Sequence, residues 1–154
     1  MFFMRNNKWL ETRLIQIKEN HFPDITEGND IIILFGRSAK TRLGSIAIRE
    51  KKSIKKPLTS FRLRRLGMND VVSVITINGH FQNELIPECV IDGVLAHEFC
   101  HYVHGFNSLL TKKYSYPHAG GIIDHELKKR GMGDIIKEQK RWVRKEWRGF
   151  LGIK

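Results

Sequence analysis

The segment from Pro87 to Gly105 constrains this chain most, because its chemistry requires a helix and its residues supply one. It contains His97-Glu98-Phe99-Cys100-His101, an H-E-x-x-H pattern. Residues four apart on a helix lie one turn above each other on the same face. Two imidazoles at that spacing can hold one Zn²⁺ without bending the backbone, and Glu98 then stands beside the ion rather than on it. From there its carboxylate can take a proton from a metal-activated water. The flanking residues spell the helix itself. Pro87 suits a first turn, where its missing N–H has no partner to lose. Glu88 and Asp92 place negative charge towards the positive end of the helix dipole. Val90, Ile91, Val94, Leu95, Phe99 and Val103 recur at helical spacing as an apolar stripe. His97, His101 and His104 gather on a neighbouring face, and Gly105 reads as the stop.

A catalytic zinc site takes three protein ligands and keeps one position open. Four residues compete for the third place. His104 shares the helix but sits two turns above His97, which makes it a supporting or surface residue. Glu126 follows His101 by 25 residues and would give a thermolysin-like site; His125 is its neighbour and points elsewhere. His118 follows His101 by 17 residues, across a loop that holds Tyr114, Tyr116 and Pro117. It opens a helix expected over 119–130, where a histidine can equally cap the helix or face solvent. Spacing leaves all four open. Cys100 lies one residue off the metal face and reads as a packed small side chain, not a ligand or nucleophile.

Around this helix the chain reads as α+β. Residues 5–20 form an amphipathic helix with Trp9, Leu10, Leu14 and Ile17 facing inward. Asp30 to Phe35 is a buried strand, and Leu43 to Arg49 and Val71 to Ile77 are two more, rich in β-branched residues. Leu58 to Leu63 is a weaker strand, and a last helix runs from about Asp134 to Phe150. The expectation is a single zincin-like domain over residues 1–154, with a small antiparallel or mixed sheet packed on the metal helix and further helices. A chain of 154 residues supports one core and is too short for two comfortable ones. Two cysteines, Cys89 and Cys100, argue against a secreted disulfide scaffold. Met1 to Met4 is apolar, but Arg5, Asn6, Asn7 and Lys8 follow at once. Neither a signal-peptide core nor a membrane span is expected, which points to the cytoplasm and to no membrane partner.

Charge is the second functional clue. Lysines and arginines number 27 against 16 acids, for a net +11. Between Arg49 and Arg65 stand eight basic residues (Arg49, Lys51, Lys52, Lys55, Lys56, Arg62, Arg64, Arg65) and one acid, Glu50. From Lys128 to Arg148 there are nine against three acids. Such runs attract phosphate backbones without reading sequence, although a soluble basic surface gives the same composition. DNA, single strands among its forms, is the expected partner, with Lys51, Lys52, Lys55, Lys56, Arg62, Arg64 and Arg65 as contacts. Trp142 and Trp147 could stack on exposed bases. They also keep a helical stripe with Ile135, Ile136, Val143 and Phe150, and core packing is the expected role.

The run Val94-Leu95-Ala96-His97-Glu98-Phe99-Cys100-His101, then a loop and His118-Ala119-Gly120-Gly121-Ile122, resembles the SprT-like (Spartan) family of zinc metalloproteases. Arg42-Leu43-Gly44-Ser45 and Ile75-Thr76-Ile77-Asn78, with Pro87 after them, are similar to that family's approach to its metal helix. The resemblance covers roughly residues 30 to 132 and implies that His118 is the third ligand beside His97 and His101. It also implies one catalytic Zn²⁺, Glu98 as general base, and protein substrates bound or crosslinked to DNA, as in DNA repair. Location would then be at the nucleoid, or the nucleus in a eukaryotic host. Tyr114 or Tyr116 are candidates to stabilise the oxyanion. The family's glycine after the third histidine is Ala119 here, and its later aromatic is Ile122. No C-terminal zinc ribbon is expected. A weaker resemblance, to YgjP-like metal-dependent hydrolases, rests on His97 to His101, His104, Asn107 and Ser108. It would put the third ligand at Asn107, a poor zinc ligand. A non-catalytic zinc-containing DNA-binding module is a further alternative, against which the intact Glu98 speaks.

Overall fold

The computed structural model describes residues 4–54 and 69–154. Helix α1 spans Asn7–His21, with the Asn6 side chain accepting from the Trp9 amide at 2.9 Å, as an N-cap should. Leu10, Leu14 and Ile17 are buried on its inner face, while Trp9 is only half-buried and lies under the guanidinia of Arg5 and Arg13. Strands β1 (Asp30–Phe35), β2 (Gly44–Glu50) and β3 (Val71–Ile77) follow. They form a three-stranded mixed sheet in the order β1-β3-β2, in which β3 pairs parallel with β1 and antiparallel with β2. The weak strand expected over Leu58 to Leu63 lies outside the described residues, as do Lys55, Lys56, Arg62, Arg64 and Arg65.

Helix α2 (Glu88–Val103) crosses the sheet and is the centre of the molecule. Every member of its expected apolar stripe is buried. Helices α3 (Ile122–Lys129) and α4 (Gly133–Phe150) close the core from the far side. Gly93 explains how α4 comes so near: a Cβ there would lie 2.7 Å from the Gln139 Cβ. A glycine inside a helix is destabilising unless packing requires it, and here packing does. Trp142 and Trp147 are both buried, and the Trp147 indole donates to the Lys40 carbonyl at 2.7 Å. Both indoles are therefore core residues and not stacking platforms. The described residues make one α+β core with four α-helices, and none of those helices is long and apolar enough to cross a membrane.

Candidate metal centre

The C-terminal half of α2 delivers the first two histidines. His97 and His101 face each other with their Nε2 atoms 3.1 Å apart. Two nitrogens on one tetrahedral zinc stand about 3.3 Å apart, given Zn–N bonds of about 2.0–2.1 Å. The helix thus presents the pair within a few tenths of an ångström of a chelating separation. Burial pushes both imidazoles down to about 4, with neighbouring histidines lowering them further. They are neutral near pH 7, as metal ligation needs.

The helix ends in a way that sends the chain back towards this pair. Gly105, at φ +82°, takes the left-handed C′ position, and the Phe106 amide donates to the His101 carbonyl at 2.9 Å. No other residue fits there, because a Cβ would lie 2.5 Å from the Thr111 carbonyl oxygen. The returning loop is pinned to β3, to the residue before β1 and to α2 by one bond each. Ser73 donates to the Asn107 carbonyl at 2.6 Å, the Leu109 amide to Asn29 Oδ1 at 2.8 Å, and Ser108 to the Tyr102 carbonyl at 2.7 Å. The loop then carries His118 over the helix, with its ring centroid 4.6 Å from that of His101 and 5.4 Å from that of His97. The ligand atoms of the three histidines lie within 4.8 Å of one another, close enough to hold a metal ion. Three histidine nitrogens suit zinc.

The other candidates go elsewhere. Glu126 accepts from Arg130 Nε at 2.8 Å, and His125 is exposed; among the described residues neither joins the cluster. His104 is fully buried, not a surface residue as one of its expected roles had it. It packs its ring on Tyr114 and stands 3.7 Å from Cys100 Sγ, because α2 turns it into the core behind the metal face. Burial pushes the Cys100 thiol up to about 12, in keeping with an inert packed side chain. His118 does not open a long helix. It precedes a short 3₁₀ turn, Ala119–Gly121, whose last two glycines have φ of 62° and 66°.

Glu98 is 7 % exposed and has no hydrogen-bond or ion-pair partner among the described residues. Burial pushes its carboxyl up to about 7, and the charge of Arg42 pulls the other way. It lies against the start of β2: a Cβ on Gly44 would lie 3.0 Å from Glu98 Oε1 and 2.8 Å from Val94 Cγ1. Gly44 is what allows the edge strand to lie against the acid. Asn78 holds this corner by donating to the carbonyls of Ala39 and Arg42, each at 2.7 Å.

Above these groups lies a cleft of about 720 Å³, walled by β2, α2, the returning loop and α4. It is lined by His97, Glu98, His101 and His118 together with Arg42, Arg49, Gln139 and Lys140. Only the first four carry a local sequence signal for this role. Tyr114 and Tyr116 are not part of its lining; Tyr114 is spent on His104 and Tyr116 is 72 % exposed. Of the expected DNA contacts that are described, Lys51 pairs with Asp30 and Lys52 with Glu50. No protein-family model, curated protein or solved structure matches this chain.

Proposed function

We propose that this chain is a zinc-dependent metallopeptidase of the SprT-like, zincin-like kind, with His97, His101 and His118 as ligands and Glu98 as general base. The observation that carries the reading is the convergence of three imidazoles beside one buried carboxyl that has no hydrogen-bond or ion-pair partner among the described residues. Bound there, zinc supplies a Lewis acid that polarises a carbonyl and acidifies water. Glu98, with its carboxyl near 7, is suited to accept a proton and return it to the leaving amine. A structural zinc site has no use for such an acid, and this weighs against the non-catalytic alternative. The YgjP-like alternative would recruit Asn107, which also lines the cleft but offers a neutral amide, a poorer zinc ligand than the imidazole of His118.

The edge strand supports a peptide substrate. Leu43 and Lys51 both turn their backbone groups towards the β3 side, bonding to Asn78 and Asp70. Alternation along the strand then points the amides and carbonyls of Gly44, Ile46 and Ile48 away from β3. An extended chain can add to that edge and present a scissile carbonyl beside Glu98. The partner in the cell would be DNA carrying bound or crosslinked protein, with the exposed cations of α4 (Lys137, Arg144, Lys145) available to phosphates.

Zinc analysis of the purified protein, followed by cleavage of a protein crosslinked to DNA, tests this. About one zinc per chain is expected, lost on His118→Ala and kept on His104→Ala and Glu126→Ala, with cleavage abolished by a chelator and restored by zinc. Zinc retained by the His118 variant, or chelator-resistant cleavage, overturns the assignment.

A further inference from the structure

Two exposed arginines stand in the cleft wall, and the charge of one of them, Arg42, reaches Glu98. Arg42 and Arg49 both line the cleft and are exposed, and neither forms an ion pair among the described residues. The third cation of the wall, Lys140, is already paired with Asp124. Arg42 and Arg49 flank the free edge of β2, two residues before and five after Gly44, the residue in contact with Glu98. At about 3.3 Å per residue they sit roughly 23 Å apart along an extended chain.

We propose that Arg42 and Arg49 select peptide carboxylates, so that the preferred substrate is an acidic segment laid along β2; this rests on the metallopeptidase reading. Arg42 serves a carboxylate within about two residues of the scissile bond, and Arg49 one about four or five residues away. The guanidinium of Arg49 is poised for the exchange. It now donates to the Ile48 carbonyl at 3.3 Å, one of the three carbonyls on the free edge. A peptide N–H that pairs with that carbonyl displaces the guanidinium and leaves it beside the arriving side chain. A guanidinium binds a carboxylate through two parallel N–H bonds, which a lysine cannot reproduce. A phosphodiester strand fits this place less well, because it carries no row of N–H donors for the carbonyls of Gly44, Ile46 and Ile48.

The test uses the zinc-loaded Glu98→Gln protein and fluorescein-labelled ten-residue peptides. One peptide carries glutamates at spacings that reach both arginines, and its twin carries glutamines there. Each is made with a free and with an amidated C-terminus. At low salt the glutamate peptide is expected to bind at least about tenfold tighter. Arg49→Gln and Arg42→Gln should each remove part of that preference, and Arg49→Lys should restore less than the arginine gives. Loss of the preference on amidation alone assigns the carboxylate to a chain terminus, whereas indifference to amidation assigns it to side chains. Equal affinity for the twins, no binding of either, or a preference that survives both arginine substitutions overturns the inference. So does displacement of both twins alike by a DNA strand acting through the same arginines. Wild-type cleavage separates the two ideas. Twins cut at equal rates keep the peptidase and remove the selectivity, while acid-dependent binding with no cleavage does the reverse.

Discussion

Asp92 and Glu98 stand six residues apart on α2, and each is 7 % exposed, yet the helix treats them in opposite ways. Asp92 takes two bonds from Arg13, one of them from Nε to Oδ1 at 2.9 Å, and Arg13 also reaches Glu88 at 3.5 Å. Glu98 has no such partner among the described residues, and burial pushes it up to about 7. The first is a satisfied buried ion pair that ties α1 to α2. The second is a buried acid with no hydrogen bond or ion pair among the described residues, a state that acid–base chemistry can use. Burial by itself does not separate structural from functional carboxyls. The presence or absence of a partner does.

The largest expected effect is on turnover. Glu98→Gln should lower hydrolysis by at least about a hundredfold while zinc content stays the same, since it removes a base and leaves the ligands. Asp92→Asn, assayed on folded protein, should turn over within about twofold of wild type. Equal losses in the two variants would erase the distinction. Stability should invert the order. Asp92→Asn strips the charge partner from a part-buried guanidinium and should cost about 2–3 kcal/mol in urea unfolding.

Glu98→Gln should do the opposite, and only at high pH. Because folding raises this carboxyl from its usual range to about 7, the native state holds the proton more tightly than the unfolded chain does. Stability from this group is therefore present at low pH and lost as pH climbs through that window. Metal-free Glu98→Gln protein should exceed metal-free wild type by about 2 kcal/mol at pH 8, and the gap should close by pH 5. The depressed histidines have the reverse sign but are common to both proteins, so they cancel in the difference. A gap that widens towards pH 5 would mean that Glu98 is stabilised as the anion.

The smallest effect concerns DNA, and it asks whether surface charge resembles Asp92 or Glu98. Changing Lys51, Lys52, Lys55 and Lys56 to Glu should weaken binding to unrelated duplexes about equally and flatten the log–log salt dependence by up to about four phosphates. Lys51 and Lys52 already have acidic partners, so their own share of the change should be small. No change in a salt titration by gel shift would leave the +11 charge without a role in DNA binding.

What could be read from the sequence was what repeats locally. The stripe of α2 and the limits of β1 and β3 follow from side-chain periodicity and β-branching. His97, Glu98 and His101 follow because one helix turn carries the whole motif. Asn78, quoted only as part of a resembling run, turned out to brace the loop that leads to Arg42. The rest depends on long-range placement. Nothing near His104 in sequence reveals that Tyr114 will cover it, and nothing near Arg49 reveals that it shares a cleft with His118. Helix α3 begins at Ile122, three residues later than expected, because Gly120 and Gly121 take left-handed backbone angles that no helix accommodates.

The outward edge of β2 also bears on how this protein behaves at high concentration. A strand whose amides at Gly44, Ile46 and Ile48 have no partner among the described residues is a template on which a second copy could zip, the usual beginning of edge-to-edge aggregation. Charge at the far end of the strand opposes that, with Arg49, Glu50, Lys51 and Lys52 in sequence and Arg49 already covering the Ile48 carbonyl. Like-charged edges repel, which disfavours that pairing. A variant that neutralises this end would be expected to cloud in storage before it showed any defect in folding.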